Sequence, residues 1–196
     1  MKRFFLCAVA IAALCSSCET EDEIFATETK NQTTTLHQAK GVETTNYQTY
    51  QSILKSFAYN NHQTYQENLL QFEEHVNQQM LNYVPQESYK YEKLNAEQLF
   101  MLQQADIDFI EQFTYTKETK KAIYAIINNS FNNEDLLLIT NESELIIIEN
   151  LFVLHSDGNG DDNKLNDNRS VAFAYGSQYS LTQAVLYAGA IELLAK

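Results

Sequence analysis

The sequence predicts an all-α protein, a single bundle of about five to seven helices behind a flexible N-terminal tether. One proline and five glycines in 196 residues leave few of the turn residues that separate β-strands. Apolar residues recur instead at spacings of three and four, which place them on one face of a helix. Two Asn-x-x-Glu/Gln segments, at Asn95 and Asn141, have the form of capping boxes that open helices.

The spacing of apolar residues predicts the helices in turn. The predicted elements are a helix near 46–59, a helix from Tyr65 to Tyr83 closed by Pro85, a segment from Asn95 to Phe113, a helix from Thr116 through Ile127, and a helix that follows Asn141. Residues 145–154 contain many β-branched side chains and would also suit a buried strand. The cap at Asn141 and the acidic turn behind it favour a helix there.

The last segment, Val171 to Ala195, contains one charged residue, Glu192. Small residues recur at every fourth position from Ala172 to Ala188, which lets a neighbouring backbone approach closely. Polar residues interrupt the apolar run in its middle, so a transmembrane helix is the weaker interpretation. We expect a helix buried at the centre of the bundle.

The first residues of the chain read MKRFFLCAVAIAALCSSC. Lys2 and Arg3 precede an apolar run from Phe4 to Leu14, and small residues with a cysteine follow. This order is typical of a secretory signal peptide. The run would cover only about half of a ~30 Å hydrocarbon core, so a permanent membrane span is not favoured.

The stretch Leu14-Cys15-Ser16-Ser17-Cys18 resembles the lipobox of bacterial lipoproteins. The resemblance implies cleavage after Ser17 and lipidation of Cys18. Cys15 stands where that family more often has a small or aliphatic residue, and lipidation of Cys15 is the alternative. The implied organisation is a signal peptide at 1–17, a disordered tether at 18–45 and an all-helical domain at 46–196.

Glu19-Thr20-Glu21-Asp22-Glu23 follows the lipobox and resembles the acidic signal that exports some lipoproteins of the Bacteroidota to the outer surface. This resemblance implies a lipid-anchored protein of the outer membrane, exposed at the cell surface. The alternative is that the acidic run only keeps the tether soluble and disordered. All three cysteines belong to the signal region, so a mature chain would contain no disulfide and no thiolate metal site.

The chain is strongly acidic, with a formal net charge of −13 that becomes more negative once Lys2 and Arg3 are removed with the signal peptide. Such a surface repels phosphate backbones, and the longest basic run is Lys120-Lys121. Nucleic-acid binding is therefore excluded as a function. Cationic partners or divalent ions suit the excess acid.

The stretch HSDGNGDDNKLNDNRS, residues 155–170, is the one candidate metal site. Asp157, Asn159 and Asp161 stand at positions 1, 3 and 5 of an EF-hand-like calcium loop between two predicted helices, and Asp162 or Asp167 would assist. The pattern departs from the motif because Asp162 replaces the glycine of position 6 and Asn168 replaces the bidentate carboxylate of position 12. A plain polar turn between helices is the alternative.

No catalytic motif is present: the sequence has no His-Glu-x-x-His, no Gly-x-Ser-x-Gly and no phosphate-binding loop. Glu73, Glu74 and His75 are adjacent, and we expect them on a solvated helix face. Twelve tyrosines suit a ligand groove or, more simply, the boundary of the core, where we place Tyr47, Tyr50, Tyr65 and Tyr83. The sequence predicts a non-enzymatic, lipid-anchored binding or structural module of the envelope, with a protein partner at the cell surface. A calcium-dependent module is the first alternative, and an enzyme without a recognisable motif is the second.

Overall fold

The computed structural model describes residues 45–85, 89–104, 107–157 and 163–196. In chain order, the helices of these ranges are α1 (Thr45–Ser56), α2 (Tyr65–Met80), α3 (Ala96–Gln104), α4 (Ile107–Glu111), α5 (Lys117–Ile127), α6 (Asn133–Leu137), α7 (Glu142–Ser156), α8 (Asn163–Ser177) and α9 (Leu181–Glu192), with a 3-10 turn at Leu193–Ala195. The all-α prediction is confirmed. Because α4 and α6 have only five residues each, seven longer helices remain within the described residues. The signal-peptide, lipidation and tether predictions fall, apart from Thr45, outside these residues.

Two of the predicted helix starts form as expected. Asn95 Oδ1 accepts from the backbone N–H of Gln98 at 2.8 Å, and Gln98 Oε1 accepts from the N–H of Asn95 at 3.1 Å, which completes a capping box. Thr116 caps α5 through its hydroxyl, which accepts from the N–H of Thr119. The run with many β-branched residues after Asn141 is helical, as predicted, and forms most of α7.

The C-terminal segment contains two helices where the spacing of small residues suggested one. The break lies at residues 178–180, between α8 and α9, where the hydroxyl of Ser180 accepts from the N–H of Gln183 and caps α9. Gly176 explains the close packing at this turn: a Cβ there would lie 2.5 Å from backbone atoms of Gln183 and Ala184. The regular small residues thus line the contact between two neighbouring helices.

Helix α9 is the centre of the fold. Ten of its twelve residues are buried, and α1, α2, α3 and α8 all pack against it. Tyr187 is fully buried, and Gly189 lies so close to the ring of Phe72 in α2 that a Cβ would meet it at 2.2 Å. The predicted buried position of this segment is therefore confirmed for α9. Among the described residues, no helix combines the length and apolar character needed to cross a membrane.

We expect Gly176→Ala to destabilise the domain, although alanine usually favours a helix over glycine by about 1 kcal/mol. The added methyl would strike backbone atoms, which cannot move aside as a side chain does. Overpacking of this kind costs about 1–3 kcal/mol or more, so the free energy of unfolding from urea denaturation should fall by about 2 kcal/mol.

Ser177→Ala is the matched control, because it creates the same methyl group at the next position, where a side chain already fits. The Ser177 hydroxyl donates to the Phe173 carbonyl of its own helix at 2.8 Å and also lies near the Tyr115 hydroxyl, so its loss should cost no more than about 1 kcal/mol. Equal stability of the Gly176→Ala variant and the wild type would contradict the close contact.

Candidate functional site

The predicted calcium loop begins at Asp157, which ends α7 as its C-terminal cap. One oxygen of its carboxylate, Oδ2, accepts hydrogen bonds from Gln51 Nε2 at 2.7 Å and from the hydroxyl of Tyr47. Both donors belong to α1, and the backbone N–H of Tyr47 donates to Asn150 of α7 at 2.8 Å. Asp157 therefore joins the start of the loop to α1.

The other predicted ligands divide into two groups. Asp167 lies on α8, where its Oδ1 is 3.0 Å from Nε2 of His155 in the last turn of α7. Asn159, Asp161 and Asp162 lie outside the described residues. Within the described ranges, no group of three or more His, Cys, Asp and Glu side chains is arranged to hold a metal ion. Residues 163–168, the second half of the predicted loop, belong to α8 instead of a loop, so α8 begins about seven residues earlier than expected. Calcium binding by the predicted ligands stays a prediction.

Arg169 of α8, which no motif in the sequence marks, forms a buried ionic cluster. Its Nη1 donates to Glu192 Oε2 of α9 at 2.9 Å, and its Nη2 donates to the carbonyl oxygen of Leu154 at 2.9 Å. That carbonyl lies in the last turn of α7, where the helix dipole is negative. One guanidinium thus binds the C-terminal ends of α7 and α9 to α8. The only signal in the sequence is a lone arginine shortly before the apolar run that starts at Val171.

Two tyrosines of α1 face this cluster. Tyr50 is fully buried, and burial raises its pKa well above the usual 10.0, although the charge of Arg169 opposes the rise. Burial also raises the pKa of Tyr47, and the hydrogen bond to the Asp157 carboxylate raises it further. Among the described residues, neither the Tyr50 hydroxyl nor Arg169 Nε has a partner at full hydrogen-bond geometry, although the Arg169 guanidinium lies near enough to the hydroxyl to lower the pKa of Tyr50. Both tyrosines therefore stay protonated in the fold well past the pH at which tyrosine normally ionises.

Glu73 is buried, which contradicts the expected solvated face at residues 73–75. Its Oε1 accepts from the hydroxyl of Tyr91 at 2.6 Å and from the N–H of Leu94 at 3.1 Å, and 5% of the residue is exposed. A signal was present in the sequence, because Glu73 shares the helix face of Phe72, Val76 and Met80. Glu74 is exposed, as expected.

Glu144 is a second buried carboxylate, and it corrects the predicted capping box at Asn141. Asn141 does cap α7, with its Oδ1 accepting from the N–H of Ser143 at 3.0 Å. The Glu144 carboxylate turns to the start of α5, where it accepts from the hydroxyl of Thr116 at 2.6 Å and from that of Thr119. The first turns of α5 and α7 are therefore joined by one side chain.

The tyrosines predicted at the core boundary lie at several depths. Tyr50 is buried, Tyr47 and Tyr65 are half-buried, and Tyr83 is 47% exposed. The main aromatic cluster lies elsewhere, around Tyr175 of α8, which stacks on Tyr187 with ring centroids 5.8 Å apart. Its other members are Phe109, Phe113, Tyr115 and Tyr179. This cluster joins α4 to α8 and α9 and is part of the core.

A surface hollow of about 260 Å³ opens where α1 and α9 begin and α8 ends, against α7. It is lined by Asn46, Ser143, Ile146, Ile147, Ser177 and Leu181. These side chains offer apolar contacts and neutral hydrogen bonds, with no acid or base among them. The described lining of the hollow therefore suits a small neutral group.

No protein-family model, curated protein or solved structure matches this chain.

We expect Arg169→Met to lower the free energy of unfolding by about 3 kcal/mol, because it leaves the Glu192 carboxylate and the Leu154 carbonyl without their donor. Urea denaturation at neutral pH measures the loss. The double variant Arg169→Met/Glu192→Leu is the matched control: it removes both charges, so it should recover at least about 1 kcal/mol. A single variant as stable as the wild type would contradict the role of this cluster.

The buried tyrosines predict a loss of stability at alkaline pH. Unfolded tyrosines ionise near pH 10.0, whereas Tyr47 and Tyr50 keep their protons to higher pH in the fold. The folded state then binds more protons above pH 10.0, so the free energy of unfolding falls as the pH rises through this range.

Tyr50→Phe should make this decline shallower and change stability at pH 7 by less than about 1 kcal/mol, because the hydroxyl has no partner at full hydrogen-bond geometry among the described residues. Denaturation series at neutral and alkaline pH test both effects. An unchanged alkaline decline, or a loss above about 1 kcal/mol at pH 7, would contradict this assignment.

Proposed function

We propose that this chain is a lipid-anchored envelope protein whose helical domain binds or organises a partner and does not catalyse a reaction. The observation that carries the proposal is the order of residues 1–23: a basic start, a short apolar run, a lipobox-like ending at Cys18 and an acidic stretch. Several acyl chains on one cysteine hold a protein firmly at a bilayer, whereas a single chain binds only marginally. The anchor therefore requires no membrane-spanning segment.

The buried ionisable groups support a binding or structural role for the domain. Glu73, Glu144 and Arg169 all donate to or accept from groups of other chain segments, and each of these bonds joins elements of the fold. A catalytic acid or base must instead reach a substrate within hydrogen-bond distance. Charge buried in this way serves the arrangement of the helices.

The surface supports the same role, because several large apolar side chains remain exposed. These are Leu70, Leu81, Tyr83, Phe100, Leu137, Leu138, Tyr179 and Leu194, with exposed fractions of 43–71%. Single exposed apolar residues are common, but aromatic side chains such as Tyr83, Phe100 and Tyr179 are enriched at protein interfaces. The acidic run at 19–23 supports a location at the outer face of the outer membrane, where such a surface meets partners.

Cys18→Ser is expected to abolish lipidation, because no thiol remains at the residue that follows the cleavage site. Expression in a bacterium that processes lipoproteins, with labelled palmitate, should show no incorporation into this variant. The variant should also leave the membrane fraction for the soluble fraction, and mass spectrometry of the mature N-terminus should find no acyl group.

Cys15→Ser is the matched control, since it removes the other candidate thiol three residues earlier and keeps Cys18. It should incorporate palmitate as the wild type does. If Cys18→Ser protein still carries the label and Cys15→Ser protein does not, the anchor is at Cys15. Membrane attachment of both variants without any label would overturn the lipid anchor altogether.

A further inference from the structure

A strap, residues 89–94, lies outside any helix between α2 and α3 and is held by side chains of α2, of α9 and of the turn before α9. At Glu92 its N–H and its carbonyl both bond to one side chain, as in an extended strand residue that exchanges both bonds with one partner. Gln183 of α9 makes both bonds of a backbone pair with Glu92: its Oε1 accepts from the N–H at 3.0 Å, and its Nε2 donates to the carbonyl at 3.0 Å. Ser180 donates to the carbonyl of Lys90 at 3.1 Å. These hydrogen bonds go to the strap's main chain, so they do not depend on its side chains.

We call the surface that the strap covers the groove; Glu73, Asn77, Ser180 and Gln183 form it. Its α2 side contacts side chains of the strap as well as its main chain. Oε1 of buried Glu73 accepts from the N–H of Leu94 and from the hydroxyl of Tyr91, and Asn77 accepts from the hydroxyl of Tyr89. Leu94 is 8% exposed, so its side chain is buried, and its N–H donates to the Glu73 carboxylate. The groove therefore holds an extended segment by its backbone, by tyrosine hydroxyls and by one leucine.

We propose that this groove binds an extended peptide segment of a partner protein with the pattern Tyr-x-x-Leu. In the free protein the strap occupies the groove, and the partner segment displaces it. The inference rests on the proposed binding function and names its site. Main-chain hydrogen bonds to an extended peptide, with pockets for selected side chains, are a recurring mode of peptide recognition. The strap shows what the occupant must supply.

The strap is suited to displacement because few of its side chains are buried. Lys90, Glu92 and Lys93 are exposed, and Tyr89 and Tyr91 are only half-buried. Segments with few buried apolar contacts open at lower free energy than the helices of the core. Gln183 and Glu73 are 1% and 5% exposed, so when the strap leaves, their polar atoms need equivalent donors and acceptors. A partner segment with free N–H groups at the positions of Glu92 and Leu94 supplies them.

Hydrogen exchange of the full-length wild-type protein in detergent tests the opening without any substitution. Mass spectrometry with fragmentation should find that the amides of Glu92 and Leu94 exchange at least tenfold faster than those of α9 under native conditions. Exchange of both amides at the rate of α9 would overturn the proposal, because the strap would then open only when the core unfolds.

Fluorescence anisotropy with a labelled peptide of residues 89–95 tests the groove. The Glu92→Pro substitution removes the strap N–H that donates to Gln183, which weakens the strap's hold on the groove. The Glu92→Pro protein should therefore bind the peptide at least tenfold more tightly than the wild type. A control peptide with proline at the position of Glu92 should not bind. Equal binding of the two peptides, or no binding to Glu92→Pro protein that retains its helical circular dichroism, would overturn the proposal.

If Glu92→Pro does not fold, Tyr91→Phe replaces it, since it removes only the hydroxyl that donates to Glu73. The same gain in peptide affinity is expected, and its absence counts against the groove. Both experiments leave Cys18 unchanged, so their failure is distinguishable from failure of the lipid anchor.

Discussion

The buried guanidinium of Arg169 is the interaction on which the arrangement of the C-terminal helices depends. An arginine stays charged in a protein, so at 8% exposure it needs compensating acceptors. Glu192 and the Leu154 carbonyl supply them from the ends of two different helices, which fixes α7 and α9 against α8. Two turns further along α8, near its C-terminal end, Gly176 lets the backbone of α9 approach. Together the two contacts determine both the position and the spacing of the central pair.

Two buried carboxylates repeat this arrangement elsewhere in the molecule. Glu144 accepts from the first turn of α5, and Glu73 accepts from the chain that precedes α3. In each case one carboxylate satisfies several donors that would otherwise be buried without partners. The sequence has no cysteine after Cys18, so no disulfide joins the described helices. Apolar burial and these few ionic contacts hold them instead.

Local signals in the sequence were sufficient for the helices and insufficient for the site. Asn95 and Thr116 start helices through bonds to residues three positions away, so the pattern alone reveals them. Arg169 and Glu73 find their partners at 15 to 23 residues' distance, and no local rule connects those positions. The break at 178–180 was missed because the small residues that line two packed helices have the same spacing as in one continuous helix.

The electrostatics of the strap bear on the partner that the groove would accept. The chain as a whole is acidic, with a net charge of −13, yet Lys90 and Lys93 point outward from the strap. When the strap leaves the groove, Lys90 and Lys93 leave together with Glu92, so one net positive charge is lost while the Glu73 carboxylate stays inside. A segment that carries lysine or arginine at the outward positions restores the local balance, whereas an acidic segment adds repulsion from the surrounding surface. In the proposed complex, backbone contacts would set the geometry of binding, and the acidity of the protein would favour basic segments among those of that geometry.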